Sequence, residues 1–438
     1  MVLPEYVASC IEALENASFS AYAVGGCVRD AWLGLTPQDY DMCTSALPEQ
    51  MEAVFADKRL ILTGKKHGTV TVVTDGGPVE ITTYRTEGTY LDNRHPDWVA
   101  FVPDVETDLA RRDFTINAMA YSPTRGYADP FGGREDLKNK GLRAGGDPVQ
   151  RFREDSLRIL RGIRFAVKYG LTVEPETEQA MRTQANLMDN LARERVFEEL
   201  CKLLPLVTAE DLLRFAPVLG AVIPELEPLI GFDQRSPHPA YDLFTHVAHV
   251  VEGVPGDLPL RWAALLHDVG KIPCFTQDET DRGHFYGHAE TGAEMANAVL
   301  HRLKAPTALR EQVVLLIEKH MRKMEPDKKV LRRWLGHWGW DTVEKLLLLQ
   351  EADMGSKGTG WLPEMEQFGQ IRELLEEIRE ENSCLTLRDL AVNGHDLMAL
   401  GYQGKAVGSC LKDLLEQVLD EKLPNEKEAL LAFAKTHL

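Results

Sequence analysis

Residues 22–30 read YAVGGCVRD, and residues 39–44 read DYDMCT. The first stretch is an apolar run that ends at two glycines, a pattern typical of a strand, a tight turn and the start of a helix. Paired glycines let backbone N–H groups approach a phosphate closely, and a helix N-terminus adds a favourable potential. Asp39 and Asp41 lie two positions apart, so on a strand both carboxylates point to one face. Two such carboxylates can hold the Mg²⁺ ions of a phosphoryl transfer.

The hydrophobic pattern predicts a mixed α/β region up to about residue 150 and long helices after it. Strands are predicted at Phe19–Val24, Tyr40–Thr44, Gly68–Thr74 and Val79–Tyr84. Helices are predicted at Pro4–Glu15, Asp155–Lys168, Glu176–Leu191, Glu194–Leu204, Leu258–Asp268, Ala289–Leu303, Leu309–Met321, 362–381, 405–421 and 425–437. Residues 231–239 and 353–360 have the composition of linkers. The predicted fold class is α+β, with a small mixed sheet followed by mostly helical domains.

The composition limits the class of protein. The 438 residues carry 49 Lys and Arg against 68 Asp and Glu, a net charge of −19, which argues against a surface devoted entirely to nucleic acid. A local site is still compatible with this charge, because residues 301–350 are net +5 and residues 351–400 net −7. Seven scattered cysteines without a C-x-x-C predict reduced thiols and a cytoplasmic location. No apolar run approaches the roughly 20 residues that span a bilayer.

Two further clusters carry charge in a compact pattern. Residues 111–120 read RRDFTINAMA, and residues 153–165 read REDSLRILRGIRF. In the second cluster, Asp155, Arg158 and Arg161 are predicted to lie on one helix face at i, i+3 and i+6. Taken alone, such a face is compatible with simple surface ion pairing, which contributes only tenths of a kcal/mol.

With these clusters in order, the chain resembles class II tRNA nucleotidyltransferases, the bacterial CCA-adding enzymes related to poly(A) polymerase. The resemblance covers about the first 200 residues and rests on YAVGGCVRD, DYDMCTSALP, GTVTVV, VEITTYRTEGTY, DLARRDFTINAMAY, DPFGGREDL and REDSLRILRGIRFA. It implies a head of polymerase-β type, Mg²⁺ at the catalytic site, and tRNA, CTP and ATP as partners. The implied metal-binding catalytic residues are Asp39 and Asp41, with Glu80 as a further candidate carboxylate. The implied nucleotide-binding residues are Gly25, Gly26 and Arg29 for the triphosphate, Arg112, Asp113 and Asn117 for the ribose, Asp155 and Arg158 for the base, and Arg161 and Arg164 for support.

The chemistry of the bases agrees with an Asp–Arg reading pair. Cytosine and adenine each present an exocyclic amine beside a ring acceptor, and a carboxylate next to a guanidinium complements both edges. Uracil and guanine present a carbonyl and a ring N–H, which leave both protein groups mismatched and are rejected strongly for that reason.

A second set of metal-type ligands follows in the helical region. Nine of the 13 histidines fall between residues 238 and 337. Ligand-type residues occur there in the order H…HD…H…H…D, and imidazole with carboxylate suits a transition-metal centre. The segment resembles HD phosphohydrolase domains. The resemblance implies a divalent-metal site, with one or two ions, at His246, His267, Asp268, His288, His320 and Asp353, with Lys271 near the substrate phosphate. A degenerate domain that serves only as a spacer is the alternative.

These resemblances divide the chain into a catalytic head (1–140), a neck with the base-recognition helix (141–235), an HD domain (236–356) and a tRNA-binding tail (357–438). Residues 385–438 are similar to the body and tail of Firmicutes CCA-adding enzymes. The predicted activity is addition of C, C and A to tRNA 3′ ends, together with a phosphatase or phosphodiesterase activity. The alternatives are an A-adding or CC-adding enzyme, a poly(A) polymerase, and a regulatory protein that only senses nucleotides. Neither a membrane nor an obligate protein partner is expected.

Overall fold

The computed structural model describes residues 1–87, 99–235, 241–357, 362–381 and 384–437. The chain forms two compact units, Met1–Leu206 with Phe215–Pro224, and Val207–Arg214 with Glu225–Leu438. The strands are β1 (Ala21–Val24), β2 (Asp41–Thr44), β3 (Arg59–Ile61), β4 (Thr69–Thr74), β5 (Gly77–Thr83), β6 (Arg85–Glu87), β7 (Val99–Phe101), β8 (Ala120–Ser122), β9 (Gly126–Ala128), β10 (Gly141–Leu142), β11 (Thr172–Val173), β12 (Thr276–Gln277) and β13 (Gly283–His284). The helices are α1 (Glu5–Asn16), α2 (Gly26–Trp32), α3 (Pro48–Val54), α4 (Val105–Ala110), α5 (Gly133–Lys138), α6 (Pro148–Glu154), α7 (Leu157–Tyr169), α8 (Pro175–Thr183), α9 (Arg193–Leu203), α10 (Ala209–Val222), α11 (Leu243–Gly253), α12 (Leu258–Leu266), α13 (Lys271–Cys274), α14 (His288–Arg302), α15 (Thr307–Lys319), α16 (Lys328–Gly355), α17 (Leu362–Glu380), α18 (Gly394–Leu400), α19 (Lys405–Leu419) and α20 (Lys427–Lys435).

A mixed sheet organises the first unit. Its strand order is β3-β4-β5-β2-β1-β8-β9, and β2 pairs with β5 in parallel while its other pairings are antiparallel. One face of this sheet shares a core with α1 and α3, built around Val7, Leu14, Met51, Val70 and Ile81. The sheet followed by helices is the α+β fold that the sequence predicted. The parallel β2–β5 pair places Asp41, the first residue of β2, beside Glu80, the fourth residue of β5.

Helix α7 packs at very short range against α8 and against Phe114, which precedes the 3₁₀ turn Thr115–Asn117. An added Cβ at Gly162 would come within 2.3 Å of Met181 Cε and 2.7 Å of Phe114 Cζ, so a larger residue there would push the helix away. The buried face of the helix includes Ile159, Leu160 and Ile163. This packing fixes the direction in which the arginines on the rest of the helix point.

Three predicted elements of this unit have different bounds in the structure. Strand β2 begins at Asp41, so Asp39 lies before the strand and not on it. The helix predicted from Asp155 begins at Leu157, because the Asp155 backbone is extended. Asp155 Oδ1 accepts a hydrogen bond from the Leu157 N–H at 3.1 Å. Such local side chain–backbone bonds compete with helix formation. The helix predicted at Glu176–Leu191 is interrupted after Thr183 and continues as a 3₁₀ turn, Ala185–Asn190.

The second unit contains a helical bundle made of α11, α12, α14, α15 and α16. Helix α12 is almost entirely buried, as its apolar sequence LPLRWAALL requires, and Trp262 has no exposed surface. Helix α16 is long and is interrupted only at Gly339, which has φ 76° and ψ 166°. The linker predicted at 353–360 is wrong at its start, because Asp353 continues the helical repeat of Leu346 and Leu349 on the buried face. Residues 236–239 and 358–360 of the predicted linkers lie outside the described residues.

The acidic helix α17 buries one apolar face. Phe368, Ile371, Leu375 and Ile378 are buried at helical spacing on one face, and α17 packs along α16. Helices α18, α19 and α20 form a separate small core that includes Leu397, Leu414 and Leu430. No helix among the described residues has the length and apolar character needed to cross a membrane.

Candidate active sites

The first candidate site lies on the head sheet, where β2 begins beside the middle of β5. Asp41 is the first residue of β2 and is the register partner of Glu80 on β5. Local desolvation raises the pKa of Asp41, the carboxylates of Glu80 and Asp39 raise it further, and Arg112 opposes them. Asp39, Asp41 and Glu80 are all exposed. Among the described residues, the groups of side chains with metal-site dimensions do not include these three carboxylates. The site is therefore an open group of like charges that a divalent cation would stabilise.

Gly25 connects the glycine turn to this edge. Its φ of +76° lies in the left-handed region that favours glycine, and an added Cβ would sit 3.0 Å from Arg112 Nη1. Arg112 also contacts the buried carboxylate of Asp108 at 3.4 Å. Gly26 follows as the first residue of α2, so the turn opens directly into the helix that carries Arg29.

A chain of polar contacts joins α2, the 3₁₀ turn Thr115–Asn117 and α7. Arg29 Nη1 donates to Asn117 Oδ1 at 2.5 Å, and Asn117 Nδ2 donates to Asp113 Oδ1 at 2.9 Å. Arg161 donates to Asp113 Oδ2 through Nε at 2.9 Å and Nη2 at 2.7 Å. Burial acts to raise the pKa of Asp113, but Arg161, Asn117 and Arg158 overcome it and lower the pKa to about 2. Asp113 is therefore an ionised acceptor between two predicted binding segments.

Arg29 is itself held on every side. Its Nε donates to Asp30 Oδ1 at 2.8 Å, and its guanidinium lies 4.5 Å from the ring centre of Tyr169 and 5.1 Å from that of Phe165. Tyr169 in turn donates to Asp30 at 3.0 Å. These contacts leave Arg29 6% exposed, so its orientation is fixed before any ligand is present.

The two predicted base-reading residues do not pair with each other. Asp155 Oδ2 lies 2.9 Å from Arg195 Nη2, and Arg158 Nη1 lies 2.9 Å from Glu154 Oε2. The expectation that Asp155 shares a helix face with Arg158 and Arg161 is wrong, because the helix begins two residues after Asp155. Arg195 holds the Asp155 side chain, and Glu154 holds the Arg158 side chain.

Arg164 of α7 contacts a buried carboxylate on α9. It forms an ion pair with Glu199 of α9, and the Glu199 side chain is only 4% exposed. Sequence reasoning missed Glu154, Arg195 and Glu199 as partners. The adjacency of Glu154 to Asp155, and the charged sequence RERVFEEL at 193–200, are the signals that could have indicated them.

The second candidate site is a buried cluster in the helical bundle. The structure brings all six predicted ligands together from α11, the end of α12, α14, the end of α15 and α16. His246 Nε2 lies 3.0 Å from Asp353 Oδ1 and 3.3 Å from Asp268 Oδ2. His267 Nε2 lies 3.2 Å from Asp268 Oδ2, and His288 Nε2 lies 3.5 Å from Asp268 Oδ1. The ring of His320 is 5.3 Å, centre to centre, from those of His267 and His288.

The cluster contains two overlapping groups with metal-site dimensions. His246, His267 and Asp268 form one, and Asp268, His288 and His320 form the other, each with ligand atoms within 4.8 Å of one another. Asp268 is shared by both groups. This arrangement is compatible with one or two divalent ions.

The second nitrogen of each imidazole is already occupied by the protein. Nδ1 contacts the carbonyl oxygen of Ala264 at 2.8 Å in His267, of Phe285 at 2.8 Å in His288 and of Ile317 at 2.6 Å in His320, and in His246 it contacts Ser356 Oγ at 2.8 Å. The four Nε2 atoms are buried and lack a hydrogen-bond partner. Donation from Nδ1 to a carbonyl leaves Nε2 as the free acceptor nitrogen, which is the state a metal ligand requires. The residues present therefore fit a divalent metal ion.

Lysines offset the two carboxylates of the cluster. Lys271 Nζ lies 2.7 Å from Asp268 Oδ2, and Lys357 Nζ lies 2.7 Å from Asp353 Oδ2. Burial acts to raise the pKa values of both carboxylates, but His267 and Lys271 at Asp268, and Lys357 and His246 at Asp353, hold them well below the usual range. Burial lowers the pKa of His320 to about 4. The sequence did not predict Ser356 and Lys357, which fall within the segment interpreted as a linker.

Three family models match successive segments of the chain, beginning with the head. The family model for the Poly A polymerase head domain matches residues 21–143, that for the RNA and SrmB-binding site of polymerase A matches 170–228, and that for tRNA nucleotidyltransferase domain 2 matches 285–434. None of these three models describes a phosphohydrolase, and the segment with His246, His267 and Asp268 lies between the second and third.

Whole-chain relatives agree with this. A CCA-adding enzyme of Levilactobacillus brevis is 35% identical over 428 residues, covering 96% of this chain and 95% of the relative, and one of Latilactobacillus sakei is 32% identical over 439 residues, covering 97% and 96%. The crystal structure of the Bacillus stearothermophilus CCA-adding enzyme in complex with CTP has a TM-score of 0.72 at 28% identity, covering 100% of this chain and 98% of that one. With such identity along nearly its whole length, the chain belongs to the family of CCA-adding enzymes.

Proposed function

We propose that the chain adds C, C and A to the 3′ ends of tRNA, with CTP and ATP as substrates and pyrophosphate as the released product. The observation that carries this proposal is the juxtaposition of Asp41 with Glu80 at the sheet edge, next to the Gly25 turn and Arg112, in a chain of this family. The terminal tRNA hydroxyl attacks the α-phosphate of the nucleotide, and the bond to the β-phosphate breaks.

In this proposal Asp39, Asp41 and Glu80 hold Mg²⁺, which when bound neutralises the charge on the attacking and leaving oxygens. Gly25 and Gly26 give the triphosphate access to the backbone, and Arg29 faces it from its fixed position. Arg112, Asp113 and Asn117 contact the ribose, with Asp113 held ionised by Arg161.

The proposed base-reading pair is Asp155 with Arg158. Arg195 and Glu154 orient the two groups before the nucleotide arrives, so less conformational freedom is lost on binding. Arg164 is proposed to support the helix through Glu199 and not to contact the nucleotide. The domain boundaries 1–140, 141–235, 236–356 and 357–438, with a tRNA-binding tail, remain part of the same proposal.

The decisive assay supplies tRNAs that end before CCA, after C and after CC, with each NTP alone and in combination. We expect C addition to the first two, A addition to the third, and no use of UTP or GTP. Addition of A alone, or of C alone, would favour an A-adding or CC-adding enzyme. Long A tails on unrelated RNA would favour a poly(A) polymerase.

We further propose that the bundle carries a metal-dependent phosphohydrolase site of HD type. The observation in its support is the set of four partnerless Nε2 atoms that face Asp268 and Asp353. A divalent ion bound there would polarise a phosphate ester and activate water. Lys271 and Lys357 are placed to accept negative charge from the substrate, and the imidazoles keep their orientation through Nδ1.

Metal analysis and hydrolysis assays test this second activity. The purified chain is expected to bind a divalent ion, and His267→Ala is expected to lose both the ion and the hydrolysis of phosphate esters. Binding of metal without hydrolysis of any ester would instead support a degenerate domain with a structural role.

A further inference from the structure

A tyrosine on the first helix contacts both chain segments that carry the head-site carboxylates. Asp41 and Glu80 are register partners of the parallel β2–β5 pair, so the sheet ladder fixes these two residues relative to each other. Asp39 and Tyr40 precede β2, and the registers of β2 with β1 and β5 include neither of them. Something other than the ladder therefore has to hold Asp39 beside the other two carboxylates.

Tyr6, in the first turn of α1, lies directly on the turn between β4 and β5. A Cβ added at Gly76 would come within 2.2 Å of Tyr6 Cδ1, 2.5 Å of its Cγ and 2.9 Å of its Cε1, far inside van der Waals contact. The flat ring thus rests on backbone that only a glycine leaves uncovered. Gly76 belongs to the hairpin whose second strand carries Glu80.

The same ring contacts the residue between the two aspartates. The rings of Tyr6 and Tyr40 meet edge to face, with an interplanar angle of 84° and centres 6.4 Å apart. This is a favoured geometry for two aromatic side chains. Both tyrosines also pack against the core that α1 and α3 share with the sheet. Tyr6 therefore connects the β4–β5 hairpin with the segment that carries the two aspartates.

The Tyr6 ring also borders an open space. It lines a cavity of about 780 Å³ formed by α1, the end of α3 and the β4–β5 turn, whose described lining residues do not include Tyr40. Removal of the Tyr6 ring would extend this cavity towards Tyr40. Because the structure around such a void relaxes only partly, Tyr40 would lose its support on this side.

We propose that Tyr6 is a positioning residue for the metal-binding carboxylates of the head. Through Tyr40 it holds the segment with the two aspartates against the hairpin that carries Glu80. Three like charges repel one another, so their proximity has to be maintained by packing before a divalent ion arrives. The inference rests on the nucleotide addition proposed above. Tyr6 acts through its neighbours and is assigned no contact with the nucleotide or the metal.

Metal binding without turnover tests this inference. Mn²⁺ is titrated into the full chain with CTP present, the free ion is measured by electron paramagnetic resonance, and the Asp39→Ala/Asp41→Ala variant gives the background from other sites. We expect Tyr6→Ala to weaken Mn²⁺ binding at the head about tenfold or more, the usual cost of losing a residue that orients metal ligands. Tyr6→Phe keeps the ring and should bind Mn²⁺ like the native chain.

Leu60→Ala is the matched control for a loss of core packing. Leu60 of β3 is half-buried and packs against the same core as Tyr6. Its truncation should lower the thermal stability, as Tyr6→Ala does, but should leave Mn²⁺ binding unchanged. A merely structural role for Tyr6 predicts that both variants behave alike.

A change at the hairpin reaches the same ring from the other side. Gly76→Ala adds a Cβ 2.2 Å from Tyr6 Cδ1 at a φ outside the left-handed region, so it displaces the ring without forcing a side chain into that region. We expect it to raise the Mg²⁺ concentration needed for half-maximal C addition by about tenfold, with a smaller effect on kcat at saturating Mg²⁺. In the Tyr6→Ala background the same change has no ring to displace and should have no further effect.

The outcomes separate the inference from the function on which it rests. Native Mn²⁺ affinity in Tyr6→Ala, or in Gly76→Ala if Tyr6→Ala does not fold, would overturn the inference. Equal losses of affinity in Tyr6→Ala and Leu60→Ala, or additive effects of the Tyr6 and Gly76 changes, would overturn it too. A native chain that adds no nucleotide to tRNA would reject the proposed function, whereas the Mn²⁺ titration would still show whether Tyr6 positions the carboxylates.

Discussion

The two candidate metal sites of this chain differ in how completely the protein assembles them. In the bundle, His267 is 0% and Asp268 1% exposed, and four imidazoles have their second nitrogen fixed by the protein. At the head edge, Asp41 and Glu80 are exposed neighbours, and the negative charge of Glu80 disfavours ionisation of Asp41. The first arrangement suits an ion that stays bound, whereas the second suits ions that arrive with a triphosphate, which supplies the missing oxygens.

The largest expected effect is the loss of nucleotide addition when the head site loses its carboxylates. Asp39→Ala with Asp41→Ala should lower nucleotide addition by about a thousandfold or more, because the loss of metal-based charge stabilisation costs several kcal/mol in the transition state. Single-turnover C addition to tRNA measures this. Asp57→Ala, which removes an exposed carboxylate paired with Lys58, is the matched control. Unchanged addition in the double variant would remove these residues from the catalytic site.

Next in size is the effect of opening the bundle site. His267→Ala should remove one ligand from the group with His246 and Asp268 and lower metal affinity by about a hundredfold, while C and A addition continue. Metal titration of the apo chain measures the affinity. His301→Ala changes an exposed histidine of α14 and should bind metal like the native chain. Equal affinity in both variants would contradict the ligand assignment.

A pH effect on stability is expected from Asp113. Its pKa of about 2 lies below the ordinary value of an aspartate, 3.8, so its stabilising contribution is complete above about pH 4 and is lost as the pH falls towards 2. The contribution is on the order of 2 kcal/mol. Urea unfolding of the native chain and of Asp113→Asn should show a steeper acid loss in the native chain. Parallel pH profiles would show that Arg161 does not stabilise the ionised form.

The smallest expected effect concerns the glycine turn. Gly25→Ala forces a side chain into φ +76° and brings its Cβ to 3.0 Å from Arg112 Nη1. Because Gly25 combines this φ with a ψ of −124°, which residues with a side chain rarely adopt, the backbone strain costs about 1–3 kcal/mol. Gly34→Ala also places a side chain at a positive φ, +74°, but has nothing within 4 Å of the added Cβ, so it imposes strain without touching Arg112. Thermal stability should fall in both variants, whereas nucleotide addition should fall only in Gly25→Ala; an equal fall of addition in both would leave no special role for the contact.

The sequence predicted the ligand types of both sites better than their surroundings. The order H…HD…H…H…D, together with the resemblance to HD phosphohydrolases, predicted six ligand residues that the bundle brings together. The charged sequence indicated Glu154 and Arg195 as candidates, but which residue each one pairs with depends on how α6 and α9 pack beside α7. Ser356 and Lys357 were not predicted as part of the site, because residues 353–360 have the composition of a linker. The helix begins at Leu157 and not at Asp155 because of one local hydrogen bond, which helix propensity does not reveal.

One crossed experiment tests most directly whether the chain holds two independent catalytic centres. The native chain, the Asp39→Ala/Asp41→Ala variant and His267→Ala are each assayed for CCA addition and for phosphate-ester hydrolysis from the same preparation. Each variant is expected to lose one activity and to retain the other at the native level. Loss of both activities in either variant, or retention of hydrolysis in His267→Ala, would contradict the assignment of two separate sites.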